Sequence, residues 1–409
     1  MLSSQNFIGI VVALVGMGVL MGMVAYTVLW ERRVAAWIQD RVGPNRAGPL
    51  GLLQPFADGI KLLLKEDYTP PFVDRMLYTL APCFLFIPAL IGWAIIPWGG
   101  AWAMPEISLP ILGAIGGEVV QVTVADINIG IIYLLAVASL GVYGTVLGGY
   151  ASNNKYSFLG GMRATAQMIS YEVPMGLCLL SMLLLAGSVR PSLIVEAQTD
   201  GMLGWFIFHQ PLVAILFYIC LLAEAGRAPF DLIEAEQELV GGYHTEYSSM
   251  RFALYFLGEY AHLIVGSAFF AILFLGGWQL LPIGGLMTGE AGIGLMLLRV
   301  AVLLGKIAFL VTFAMVVRWT LPRLRFDQLM RVAWQVLIPL TLVALVVTSV
   351  MLRFGLEGWL WLANIVMIVG LVAIQPLLPK VDTNQRLPLR GSRFCPPEDE
   401  SKAGLGLTD

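Results

Sequence analysis

The amino-acid sequence predicts an all-α polytopic integral membrane protein with about nine transmembrane helices. Hydrophobic residues make up 58% of the 409-residue chain and charged residues only 12%, where a soluble domain carries about 25% charged residues. The apolar segments are long and continuous, not short and alternating, which selects helices over a membrane β-barrel. The cations fall in alternate loops, the pattern that sets orientation in helical membrane proteins.

The expected spans are 7–30, 79–98, 127–150, 164–187, 208–224, 252–275, 297–318, 332–352 and 358–378. Alternate loops and the C-terminal tail hold every Lys and Arg except Arg190, Arg299, Lys306 and Arg353. That distribution places the N-terminus outside and the cation-bearing loops and tail inside. No Lys or Arg precedes the first apolar run and no small-residue cleavage site follows it, so it does not read as a signal peptide. One transmembrane domain over 1–379 and a polar, Pro- and Gly-containing tail over 380–409, expected to be disordered, complete the organisation. No internal repeat is visible, which weighs against the repeat-built transporters.

The four cysteines, Cys83, Cys178, Cys220 and Cys395, are far apart in sequence. No spacing suits an iron–sulfur cluster, a zinc site or haem attachment, and the first three read as small packing residues.

The first inside loop, RVGPNRAGPLGLLQPFADGIKLLLKED, is punctuated by Gly43-Pro44 and Gly48-Pro49. Apolar residues then recur at helical spacing over 52–64, with Asp58, Lys61 and Lys65 at other positions. An amphipathic helix lying at the membrane interface fits this pattern. A plain surface link is the simpler alternative. The length, the cations and the Gly-Pro framing favour a docking surface or ligand entrance.

The segment 224–260 concentrates acid: Glu224, Asp231, Glu234, Glu236, Glu238, Glu246 and Glu259, with Arg227 and Arg251 as its only cations. It lies between two apolar spans. A carboxylate at bilayer depth costs about 2.5–3.5 kcal/mol, and such groups mark ion or proton paths. A solvated acidic loop accounts for Glu236 and Glu238 but not for Glu224, Glu259 or Glu172, which are flanked by apolar sequence. If the inner loop is helical, Glu234 and Glu238 share a face and Glu236 turns away. Glu172 lies in ISYEVP, where Pro174 frees a backbone carbonyl beside it. Closely placed carboxylates share protons and titrate as a set. Lys306, inside the seventh span, needs a carboxylate or water partner, with Glu172 and Glu259 as the candidates. Glu259 and His262 have the Glu-x-x-His spacing of di-iron bundles, but with only His209, His244 and His262 in the chain no second copy exists and no metal site is expected.

Several stretches then carry a family resemblance: Glu31-Arg32-Arg33, RVGPNRAGPLGLLQPFADGIKLLLKE at 41–66, Asp126-Ile127-Asn128, ISYEVP at 169–174, the whole of 224–260, and RWTLPRLRFDQLM at 318–330. Together they resemble the quinone-site membrane subunit of respiratory complex I, the proton-pumping NADH:quinone oxidoreductase of bacteria and mitochondria. The resemblance implies an enzyme subunit that is inactive alone, in a bacterial inner membrane. Arg32, Arg41, Arg46, Gln54, Phe56, Asp58, Lys61, Arg227, Phe230 and Asp231 would line or support a quinone tunnel. Glu172, Glu224, Glu234, Glu236, Glu238, Glu246 and Glu259, with Lys306 and Arg318, would begin a path coupling quinone reduction to proton pumping. Quinone would be the substrate, with no iron–sulfur cluster, flavin or metal in this chain. Partners would be peripheral-arm iron–sulfur and quinone-pocket subunits and antiporter-like membrane subunits, in the lipid bilayer, with no nucleic acid. Membrane anchors of energy-converting hydrogenases share parts of the first and third inner loops. The intact TEYSSMRFALYFLGEY favours the quinone enzyme, and a stand-alone ion carrier would need a repeat or filter motif that is not visible.

Overall fold

The computed structural model describes residues 4–109, 113–199, 203–231, 240–280 and 291–374. The principal helices, in chain order, are α1 (Ser4–Ile38), α2 (Gln54–Leu64), α3 (Arg75–Trp93), α4 (Gly130–Ala151), α5 (Lys155–Ala186), α6 (Pro211–Glu224), α7 (Ser249–Phe274), α8 (Ile293–Thr320), α9 (Phe326–Arg353) and α10 (Leu360–Ile374). Among the described residues, seven of these are long and apolar enough to cross a membrane: α1, α3, α4, α5, α7, α8 and α9. The shorter apolar α6 and α10 stand where the sequence predicts the fifth and ninth spans. A compact unit runs to Ile365, and the chain from Val366 groups separately.

Local chemistry sets the helix ends. Asp74 caps α3 by accepting from the backbone N–H groups of Met76 and Leu77 at 3.1 and 3.3 Å. Asn154 caps α5 through the N–H of Tyr156 at 2.9 Å. Gly187 closes α5 with a left-handed φ of 64°, which glycine adopts without strain. α1 and α5 run further than the apolar spans predict because their charged ends find partners within the protein: Glu31 is buried, and Arg163 stacks over the Phe326 ring at 5.7 Å.

α7 is the most buried of the long helices, while α1, α8 and α9 turn broad apolar faces outward. α4 and α5 pack closely at Gly149, where a Cβ would lie 2.7 Å from the Ser157 carbonyl oxygen. Between α3 and α4 the chain forms two short antiparallel pairings, β1 (Ala101–Ala103) with β4 (Val119–Gln121) and β2 (Ile107–Leu109) with β3 (Gly113–Ile115). This small β element sits in a loop from which the sequence supported no inference and leaves the fold all-α, as expected.

Loops from distant parts of the chain meet at each end of the bundle. At one end, here the basic face, Ser248 and Ser249 donate to the carbonyls of Glu66 and Leu62 at 2.7 and 2.9 Å. The N–H of Leu324 donates to Pro229 O at 3.1 Å. At the opposite face, the Gln5 side chain bonds both ways with the Gln121 backbone at 3.0 and 2.9 Å, and Ala291 exchanges backbone bonds with Ala101 and Ala103.

Candidate functional site: a buried row of charges

The site starts at Glu31, which is 7% exposed. Its Oε1 lies 2.5 Å from Arg318 Nη1, and its Oε2 accepts from the Tyr260 hydroxyl at 2.5 Å. α1, α7 and α8 therefore converge on one carboxylate. The ring of Tyr260 carries the Arg227 guanidinium on its face at 4.1 Å, the stacked geometry that a planar, weakly hydrated cation favours. Arg227 is 4% exposed and stands 4.0 Å from Glu259 Oε2. Glu259 Oε1 accepts from the Tyr243 hydroxyl at 2.9 Å.

Beyond Glu259, two small cavities continue the row. One, of about 20 Å³, is bounded by Glu259, Tyr243, His262 and Glu224 together with Leu85 and Met168. The next, of about 40 Å³, is bounded by Glu224, His262, Ala138, Met175 and Phe217, among others. A water centre needs about 10–15 Å³, so each cavity has room for water. His262 Nε2 lies 2.9 Å from the Leu85 carbonyl oxygen, an acceptor that calls for the proton on Nε2 and leaves Nδ1 as the other ring nitrogen. Glu172 Oε1 accepts from the Ser139 hydroxyl of α4.

The turn after α6 holds the flank of the row. Gln167, wholly buried, donates to the carbonyls of Ala223 and Phe230 at 2.8 and 2.7 Å. Phe230 packs on Tyr171 with centroids 5.3 Å apart. Asp231 takes Arg323 Nη2 at 2.7 Å. Glu246 is fixed at both ends: Asn154 Nδ2 donates to its Oε1 at 2.5 Å, and the Tyr78 hydroxyl donates to its backbone carbonyl at 2.6 Å. Tyr78 stacks flat on Tyr247 at 4.1 Å, and Tyr247 meets Tyr255 edge-on at 4.8 Å. Burial pushes the Tyr247 phenol up to about 12, so it stays a neutral donor at any physiological pH.

The remaining predicted residues divide. Arg32 pairs with Asp58 at 2.9 Å, and Gln54 donates to Asp58 at 3.1 Å, so α2 is tied to the end of α1. Arg41 turns to Gln39 at 2.7 Å. Arg41, Arg46, Phe56 and Lys61 stand exposed on the basic face. The apolar stripe of α2, Phe56, Ile60, Leu63 and Leu64, is exposed as an interfacial helix requires. Glu234, Glu236 and Glu238 lie outside the described residues.

Lys306 corrects an expectation. Its ammonium is not paired with Glu172 or Glu259. It donates to the carbonyls of Leu275, Gly277 and Gln279 at 2.5, 2.9 and 2.5 Å and faces the Trp205 ring at 4.2 Å. These carbonyls belong to the turn that follows α7, where Gly276 and Gly277 take left-handed φ of 67° and 51° and bring three partial negative charges to one cation. Among the described residues, no group of three His, Cys, Asp or Glu side chains is placed to hold a metal ion.

Sequence reasoning missed several members of the row: Glu31, Tyr243, Tyr260, Arg323 and Ser139. For Glu31 a signal existed, because a carboxylate directly after the apolar run 7–30 sits where solvent is scarce. It was legible only as a boundary marker. A groove of about 490 Å³ between α1 and α8 was also not foreseen; Met23, Tyr26, Trp30, Arg33, Leu52 and Phe309 are among its walls. A larger groove, of about 640 Å³, opens at the opposite face around Gln5, Asn6, Asp126 and Arg190. It lies at the other end of the bundle from Glu31, so the buried row does not reach it.

These features define a polytopic helical membrane protein with a row of charges buried between its helices. The family model described as NADH dehydrogenase matches residues 10–349. The H-type subunit of NADH-quinone oxidoreductase from Flavobacterium johnsoniae is 43% identical over 350 residues, covering 85% of this chain and 96% of the relative. The second H-type subunit of Geobacter sulfurreducens is 47% identical over 336 residues, 82% and 94% of the two chains. The H-type subunit of Thermomicrobium roseum is 46% identical over 352 residues, 84% and 96%. The chain belongs to the NADH dehydrogenase family of membrane subunits, the family its inner loops resemble.

Proposed function

We propose that this chain, as a subunit of an NADH-quinone oxidoreductase, admits quinone from the bilayer and starts the path that couples quinone reduction to proton translocation. The observation that carries the reading is the row from Glu31 through Tyr260, Arg227 and Glu259 to Glu224, which borders the same small cavity as Glu259. Isolated buried charges would fit a structural role; a linked row with room for water fits proton movement.

The groove between α1 and α8 supports the entry step. Its apolar walls suit an isoprenoid tail, while Tyr26, Trp30 and Arg33 offer flat and polar contacts to a headgroup. Arg32, held by Asp58, and Gln54, which also bonds Asp58, would support the headgroup from α2, with Arg227, Phe230 and Asp231 from the turn after α6. Quinone reduction consumes two electrons and two protons. The electrons come from iron–sulfur subunits of the peripheral arm, which also complete the headgroup pocket over the exposed Arg41, Arg46, Phe56 and Lys61. Charge appearing on the headgroup acts on Glu31 and Glu259 through Arg227 and Arg318. The row passes that change toward Glu224 and Glu172 and on to the antiporter-like membrane subunits. The setting is a bacterial inner membrane, crossed many times.

A photoreactive quinone tests the entry step. The tagged complex, purified whole in mild detergent, is expected to reduce quinone with NADH and to cross-link the probe to the α1–α8 groove around Trp30 and Phe309. Excess natural quinone should suppress the labelling. Labelling elsewhere, or co-purification with a nickel–iron hydrogenase, would overturn the reading.

A further inference from the structure

The buried row stops partway along α7. After His262, the facing sides of α6 and α7 turn aromatic: Phe217 packs on Phe269, Phe270 and Phe274 at centroid distances of 5.7, 6.2 and 5.6 Å. All four rings are buried. Beyond this layer comes the cage that holds Lys306. Gly276 and Gly277 adopt φ of 67° and 51°, conformations that L side chains rarely take, and the turn aims the carbonyls of Leu275, Gly277 and Gln279 at one point. Two helical turns further along α8, Arg299 is 1% exposed and donates to the carbonyls of Gly99 and Ala101 at 3.1 and 3.2 Å. Seven residues bring Arg299 and Lys306 to the same face of α8.

A carbonyl neither takes up nor releases a proton. Donation to three carbonyls takes all three N–H bonds of an ammonium, one more than a neutral amine has, so the cage is built for the charged form of Lys306 and turns it away from the row. Its nearest anchor, Leu275, lies about 24 Å along α7 from Glu259 by helix rise. The order from the basic face outward is thus carboxylates, aromatic layer, fixed cations. Electrostatic barriers of this kind exclude protons and cations from membrane pores. We propose that Lys306, reinforced by Arg299, is an electrostatic stop that keeps protons in the carboxylate row from leaking to the opposite face through this chain. The inference rests on reading the row as proton-carrying.

The test uses the complete complex reconstituted in liposomes and left without substrate, with an imposed pH gradient followed by an entrapped dye. A unit charge acting over about 12 Å at an effective dielectric near 20 alters a proton's rate of passage by about tenfold. Lys306→Met, similar in length but uncharged, is expected to raise the leak by about that factor, and Lys306→Arg is expected to stay tight. Adding Glu224→Gln to Lys306→Met should close the leak again. A leak that persists in the double variant would retain the stop but reject the row as the supply of protons. A tight Lys306→Met complex overturns the proposal, as does equal leak from the Met and Arg variants, which would indicate packing. Loss of assembly with Met but not with Arg also overturns it, assigning the charge to anchoring the turn.

Discussion

Tyr260 donates its hydroxyl proton to Glu31, 229 residues away in sequence, across 2.5 Å of the protein interior. The same side chain offers its ring face to Arg227 at 4.1 Å. One residue thereby joins two ion pairs, Glu31 with Arg318 and Arg227 with Glu259. A proton gained or lost at one pair is felt at the other, because buried charges are weakly screened.

Tyr260→Phe separates the two roles of that side chain. It keeps the ring under Arg227 and removes the donor to Glu31. A buried acceptor left without its partner costs about 1–3 kcal/mol. The thermal inactivation midpoint of the purified complex should fall modestly for Tyr260→Phe and further for Tyr260→Ala, which removes both contacts. Equal midpoints for Phe and Ala would deny the ring any part.

Glu31→Gln removes the carboxylate that faces Arg318, whose side chain is half-buried. Breaking a partly buried pair from one side is destabilising, while removing both charges together often costs less. Native gels should show reduced assembly for Glu31→Gln and partial recovery for the double variant Glu31→Gln/Arg318→Met. A double variant no better than the single would mean that the two side chains act independently.

Glu246→Gln tests charge at constant geometry. The Gln carbonyl can still accept from Asn154, and the backbone bond from Tyr78 is untouched. Assembly should be normal, with lowered quinone-reductase turnover or pumping. Normal turnover and a normal proton-to-electron ratio would remove Glu246 from the coupling path.

Arg41→Ala tests the exposed loop. Arg41 makes its side-chain bond to neighbouring Gln39, so the fold loses little with it. The apparent KM for quinone should rise severalfold at unchanged assembly. Failure to assemble would make the residue structural.

The spans were legible because each needs a long run of apolar residues, and that requirement is written locally. α2 was legible from its periodicity. The pairings were not, because they depend on which helices pack together. Glu31 and Arg318 lie 287 residues apart and meet only because α1 and α8 adjoin. Lys306 shows the limit most clearly. Hydropathy reasoning sought a carboxylate or water for it, but the left-handed Gly276 and Gly277 build a carbonyl cage that no composition rule announces. The pairing of β1 with β4 escaped notice because strands of three residues carry too little alternation to be read. The apolar flanks of Glu224 and Glu259 marked both as carboxylates at bilayer depth, but the one small cavity that both border depends on how α6 and α7 pack. The tyrosines that bond and stack in that row carry no such signal, since a buried aromatic reads simply as core.

The central claim is that the buried row couples quinone reduction to proton translocation, and Glu259 stands at its middle. The most direct measurement is the proton-to-electron ratio of the reconstituted complex carrying Glu259→Gln. The amide keeps the bond from Tyr243 but cannot hold the charge that faces Arg227. The account predicts an assembled complex whose ratio, or whose coupled rate, falls well below that of the parent. An assembled Glu259→Gln complex with the parent's ratio and rate would contradict it.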